Sequence, residues 1–111
     1  MAAGQFHDVD NIMAALRQEF IVDAGDTLEA LFARLEAHRI GQEADPTDLL
    51  KTVLRETHTL KGQGGSFDLP SLSMIAHRLE DYLAGVDVME PHHIVDTQRF
   101  ISSMMGVLDA G

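Results

Sequence analysis

Cysteine and tryptophan are both absent from this chain, and basic residues are scarce: 8 Lys and Arg stand against 18 Asp and Glu, a formal net charge of -10. Without cysteine there is no disulfide framework, no thiolate metal ligand and no thiol chemistry, which suits a reducing compartment. So few cations disfavour a nucleic-acid backbone, which calls for a basic face, and an anionic membrane surface for the same reason. No apolar run approaches the roughly 18 residues of a membrane span. The stretch from Met1 to Asp8 lacks the basic region and apolar core of a secretory signal. The expectation is a cytoplasmic protein with no nucleic acid and no membrane among its partners. Aromatics make up only 5% of 111 residues against 45% hydrophobic overall, so the core must be aliphatic, with the 6 Met filling gaps. That is enough apolar material for one domain over residues 1–111.

Proline is nearly absent too, and its three positions divide the chain. Pro46, Pro70 and Pro91 each sit at a break in hydrophobic periodicity. Before Pro46, Phe20, Ala24, Leu28, Leu31 and Leu35 form the stripe of an amphipathic helix, and Ile12 and Leu16 extend it upstream. This predicts a helix over 9–39, capped by Asp8, Asp10 or Asn11, running through Gly25 and ending at Gly41. A second helix over 46–64 is capped by Asp45, with Leu50, Val53, Leu54, Thr57 and Leu60 inward. A third, over 69–84, buries Leu72, Ile75, Ala76, Leu79 and Leu83 and stops at Gly85. A fourth, over 91–109, buries Ile94, Ile101, Met104, Met105 and Leu108. No segment alternates as a strand does. The fold class is all-α, an antiparallel four-helix bundle.

The chemically distinctive stretch is Arg55-Glu56-Thr57-His58-Thr59-Leu60-Lys61-Gly62-Gln63-Gly64-Gly65-Ser66-Phe67. At ~100° per residue, Lys61, Gly62 and Gly65 share the face of His58, opposite Val53, Thr57 and Leu60. His58 therefore points outward beside a cation and two positions without side chains. Each glycine costs a helix about 1 kcal/mol against Ala. Two readings stand for them: clearance for another protein at the imidazole, or termination of the helix.

His58-Thr59-Leu60-Lys61-Gly62, followed by Gly65 and Phe67, resembles the signature of histidine-containing phosphotransfer (HPt) domains. His77-Arg78-Leu79-Glu80-Asp81-Tyr82-Leu83 is similar to the third helix of such domains in CheA-type chemotaxis sensor kinases. Phe20-Ile21-Val22-Asp23-Ala24 with Leu28 is similar to their first helix. The likeness runs from about Asn11 to Leu108. One departure is Asp68, where the family usually has Gly. A Gly there suggests positive φ, which Asp tolerates better than most residues, and Asp68 is also a candidate cap for the third helix.

The resemblance implies a phosphorelay carrier in which His58 is phosphorylated. It implies that Glu80 accepts a hydrogen bond from Nδ1–H, freeing Nε2 to attack and stabilising charge on the ring. Lys61 would neutralise phosphoryl oxygens. His77 would tune the network, or be only a surface histidine. Lys61, Gly62 and Gly65 would meet the partner. The implied partners are a histidine kinase ATP-binding domain and a response-regulator receiver domain, which supply ATP and Mg²⁺; the chain has no cofactor of its own. It lacks a Walker-type phosphate loop, so no ATP-dependent activity of its own is expected. As an isolated domain it should be a monomer, either free-standing or the N-terminal part of a longer kinase. The alternatives are a dimerising His-containing hairpin of a sensor kinase, a carboxylate-bridged metal enzyme, and an inactive adaptor. The first usually has an acidic residue after the His, where Thr59 stands here. The second needs paired Glu-x-x-His motifs, which are missing. His92 and His93 are adjacent and diverge on a helix, unlike the i, i+4 spacing of metal ligands.

Overall fold

Each proline opens a helix. The computed structural model describes residues 2–42 and 45–111, with side chains from residue 8 onward. Its helices are α1 (Ala2–Arg39), α2 (Pro46–Ser66), α3 (Pro70–Leu83) and α4 (Pro91–Ala110). Pro at the first helical position forgoes only an N–H that has no partner inside the helix. The Asp45 side chain caps α2 by accepting a hydrogen bond from the Asp48 N–H at 3.1 Å. The helices pack as a ring, α1 on α2, α2 on α3, α3 on α4 and α4 on α1. Cross-links fix alternating directions: Arg34–Asp48 joins α1 to α2, Lys61–Glu80 joins α2 to α3, Tyr82–Asp96 joins α3 to α4, and Glu36–Gln98 joins α1 to α4. This is the antiparallel four-helix bundle expected.

The stripe from Phe20 to Leu35 is buried, as are Leu50, Val53, Thr57 and Leu60 of α2. Leu72, Ala76, Leu79 and Leu83 of α3 meet Ile94, Ile101, Met104 and Leu108 of α4 in the same core. Leu54, Ile75 and Met105 are only partly buried at its edge. Five buried side chains had not been assigned to the core: Leu49, Leu69, Met89, Thr97 and Gln98.

The first helix departs most from expectation. It runs through Asp8, Asp10 and Asn11, so none of them caps it. Ala2, Ala3 and Gln5 are compatible with helix, and no proline interrupts them. A helix of 38 residues measures about 57 Å, close to the 60 Å long axis of the molecule. At 14 to 21 residues the other three are far shorter. Arg17 marks where they end: its guanidinium donates to the carbonyls of Phe67 and Gly111, both at 3.1 Å. Upstream of it Ile12 is 59% and Leu16 44% exposed. The stripe stays in phase there, but among the described residues the other helices leave it largely uncovered.

The α2–α3 turn explains Asp68. Its φ is +58°, and the Leu69 N–H donates to the Gly64 carbonyl at 2.8 Å. That is a Schellman closure with Asp68 at the left-handed position where Gly is usual. The expected positive φ is present. The expected capping role is not, since Leu69 occupies the N-cap of α3 without a side-chain cap bond. The same closure ends α1, with Gly41 at φ +80°.

Candidate functional site

His58 lies on the exposed face of α2, and its side chain is 71% accessible. The neighbouring helix supplies its partner. Nδ1 of His58 is 3.0 Å from Oε2 of Glu80 on α3. The other oxygen of Glu80 forms an ion pair with Nζ of Lys61 at 2.6 Å. One carboxylate thus bridges two α2 residues one turn apart. It can do so because Thr57 and Leu60 turn into the core while His58 and Lys61 lean towards α3.

The electrostatics set the tautomer. The Lys61 ammonium against Glu80 holds its carboxyl below the usual carboxylate range; partial burial works the other way, and the bond to His58 lowers it further. An ionised carboxylate only accepts hydrogen bonds. Nδ1 therefore carries the proton, and the lone pair of the neutral ring is on Nε2. The site presents an oriented, exposed nucleophile with a cation beside it.

The three glycines do different things. A β-carbon on Gly62 would meet nothing within 4 Å, and one on Gly65 only Ser73 Oγ at 3.8 Å. At Gly64 it would lie 2.8 Å from Ser73 Oγ, 3.0 Å from Ser73 N and 3.2 Å from the Leu69 carbonyl oxygen. Gly64 is the buried contact that lets α2 and α3 approach. The Ser73 hydroxyl, donating to the Lys61 carbonyl, ties the helices at the same level. Neither Gly64 as a packing residue nor Ser73 was singled out from the sequence; the only signal was small residues on both helices, which is common.

His77 is not joined to the cluster. Its Nε2 is 3.4 Å from Oδ2 of Asp81 on its own helix, and no hydrogen bond or ion pair links it to His58, Lys61 or Glu80 among the described residues. Arg55 faces Glu56 at 3.7 Å. Across α2 from His58, Thr59 and Gln63 border a groove of about 410 Å³ against α1. Among the described residues no three His, Asp or Glu side chains converge as a metal site would need. No helix among them is long and apolar enough to cross a membrane.

The family model for the Hpt domain matches residues 9–110. Among curated proteins the chain is similar to the chemotaxis protein CheA of Treponema pallidum (strain Nichols), 30% identical over 80 residues. That match covers 70% of this chain and 10% of the relative, so the chain spans about a tenth of the length of the protein it matches. No solved structure matches it significantly.

Proposed function

The chain belongs to the Hpt domain family, and on that premise we propose that His58 is its phosphoryl-carrying residue. The family carries phosphoryl groups in two-component signalling, between kinases and response regulators. The observation that carries the assignment is the 3.0 Å contact of His58 Nδ1 with Glu80, on a ring otherwise open to solvent.

The chemistry follows from the tautomer. Nε2 attacks the γ-phosphorus of ATP held by a kinase catalytic domain. The bond from phosphorus to the bridging oxygen breaks, and its electron pair leaves with ADP. Glu80 holds the Nδ1 proton and stabilises the positive charge that grows on the ring. In the second step a receiver Asp carboxylate, with Mg²⁺ supplied by the receiver, attacks phosphorus. The P–N bond breaks and its pair returns to Nε2. Lys61 sits where it can share its charge between Glu80 and phosphoryl oxygens, and Gly62 and Gly65 leave room for the partner. His77 remains outside this assignment. By similarity to the CheA relative, the pathway is a chemotaxis-type relay in the cytoplasm, and the domain acts as a monomer. It serves a kinase as a substrate domain and does not itself turn over ATP.

The test is His58→Gln. It should keep the helical content and melting behaviour of the parent and take up no acid-labile phosphate from phosphoramidate or a kinase. Acid-labile phosphate on His77, His92 or His93 of that variant would refute the assignment.

A further inference from the structure

Ser73 lies between the α2–α3 turn and the reactive cluster. The turn is closed by the Leu69 N–H on the Gly64 carbonyl at 2.8 Å. Two turns beyond Ser73 on α3, Glu80 meets Nδ1 of His58 at 3.0 Å and Nζ of Lys61 at 2.6 Å. Between the turn and Glu80, the Ser73 hydroxyl donating to the Lys61 carbonyl is the one hydrogen bond that joins α2 to α3 among the described residues. A carbonyl has a second lone pair beyond the one its own helix uses. Lys61 is therefore held by α3 at both ends, its carbonyl by Ser73 and its ammonium by Glu80. Ser73 and Glu80 both face α2 and are two helical turns apart, about 10.5 Å along the axis. The stretch of α2 beside Ser73 contains Gly62, Gly64 and Gly65, and glycine leaves a helix its softest backbone.

We propose that Ser73 is a positioning residue of the His58 site: its bond to the Lys61 carbonyl sets the register of α3 along α2, and with it the reach of Glu80 to Nδ1. The inference rests on His58 being the phosphoryl-carrying residue. The apolar contacts between the two helices, Leu60 against Leu72 and Leu79 in the shared core, are non-directional and tolerate a small slide. A hydrogen bond does not, since it is lost beyond about 3.5 Å. A slide of one residue's rise, about 1.5 Å, is enough to part Oε2 of Glu80 from Nδ1. The soft glycine stretch offers little resistance to such a slide, and the Ser73 hydroxyl resists it at that level. The consequence is chemical. With Glu80 out of reach, nothing holds the proton on Nδ1. The neutral ring then spends part of its time as the Nε2–H form, in which Nε2 has no lone pair with which to attack phosphorus. Ser73 touches neither the ring nor the phosphoryl group, and it acts through Glu80.

The experiment reads the tautomer of His58 and its loading by phosphoramidate in the full chain, comparing the wild type with Ser73→Ala. Alanine is a good helix former and leaves His58, Lys61 and Glu80 intact. Long-range nitrogen–proton NMR of the imidazole, recorded above about pH 8 where a histidine is neutral, should show the Nδ1–H form in the wild type and a mixture with the Nε2–H form in Ser73→Ala. Loading by phosphoramidate should fall about tenfold in the same variant. Two controls separate positioning from stability. Ser66→Ala removes a hydroxyl that bonds the Gly62 carbonyl within α2 itself, at 3.3 Å, and should change neither readout. Ile101→Val weakens the core from α4 and should lower the urea midpoint while leaving the tautomer and the loading rate as they were. A folded Ser73→Ala protein with the wild-type tautomer or the wild-type loading rate overturns the inference and leaves the function standing. The same shift of tautomer in Ile101→Val also overturns it, because the signal would then report stability alone. A wild-type protein that takes up no phosphoryl group on His58 overturns the function and the inference together.

Discussion

Replacing Gly64 by Ala adds one methyl group at the crossing of α2 and α3. In open helix that change is favourable by about 1 kcal/mol, because Gly loses more backbone entropy than Ala. Here the new carbon lies 2.8 Å from Ser73 Oγ and 3.0 Å from Ser73 N. The hydroxyl can rotate away only by giving up its bond to the Lys61 carbonyl. The backbone nitrogen and the Leu69 carbonyl can move only if the first turn of α3 backs off. Overpacking of this kind costs about 1–3 kcal/mol, so Gly64→Ala should end about 1–2 kcal/mol less stable than the parent after the propensity gain. Gly62→Ala meets nothing within 4 Å and should be more stable by about 0.5–1 kcal/mol. Urea unfolding of both variants alongside the parent measures the contrast directly. The two substitutions are chemically identical and two residues apart, so opposite signs can arise only from what faces each position. If Gly64→Ala proves as stable as Gly62→Ala, α2 and α3 do not touch as described, and the geometry joining His58 to Glu80 loses its support.

Glu80→Gln should slow loading of His58 by phosphoramidate on the order of ten- to a hundredfold, since Gln still accepts the Nδ1 hydrogen bond but lacks the charge that stabilises the ring; thermal melting should change little, and an unchanged loading rate would remove Glu80 from the site. Asp68→Gly should raise stability by about 1 kcal/mol, because it relieves a non-glycine residue at φ +58°; a lower urea midpoint would contradict the Schellman geometry. Glu36 has its pKa lowered to about 2 by its hydrogen bonds with Arg39 first and Gln98 second. A depressed folded-state pKa means that the unfolded chain binds more protons, so the contribution is present above about 4.5, the unfolded value, and is lost as pH falls towards about 2. Glu36→Gln should flatten the acid limb of the urea midpoint plotted between those limits, and superimposable limbs would refute the contribution.

Periodicity carried the bundle because a 3.6-residue stripe reports which face is apolar. It does not report what covers that face. Ile12 and Leu16 are in phase with Phe20 and Leu28, and only the shorter lengths of the other helices leave them in water. Met89 and Leu69 were missed as core residues for the converse reason: both lie just outside helices, where there is no period to read. Asp68 was legible as a residue tolerant of positive φ, but its role follows from a hydrogen bond between Leu69 and Gly64 that no local pattern displays. Gly62, Gly64 and Gly65 are identical letters. A rotation of ~200° from Gly62 to Gly64 takes the chain from solvent to the α3 interface, and only the position of Ser73 tells them apart. At the site, the outward direction of His58 could be read from its own helix. Its pairing with Glu80, 22 residues away, came from family resemblance alone. The Lys61–Glu80 pair was not foreseen from either source.

On the proposed assignment of His58, the openness of the site is what a reversible carrier requires. Lys61 is already paired with Glu80 at 2.6 Å, and the ring is mostly in solvent, so this domain offers a phosphoryl group few contacts. A deep cradle of cations would hold the group more tightly, but each 1.36 kcal/mol of stabilisation given to the phosphorylated histidine makes onward transfer about tenfold less favourable. Orientation carries no such penalty. In the proposed relay, fixing the Nδ1 proton through Glu80 would favour attack by Nε2 in the forward step. It serves equally in the reverse step, where the same nitrogen receives the electron pair of the breaking P–N bond. The charge stabilisation that transfer needs would then be left to whichever partner is docked, a division that suits a bundle in which the His58 ring stands open to solvent beside a single paired lysine.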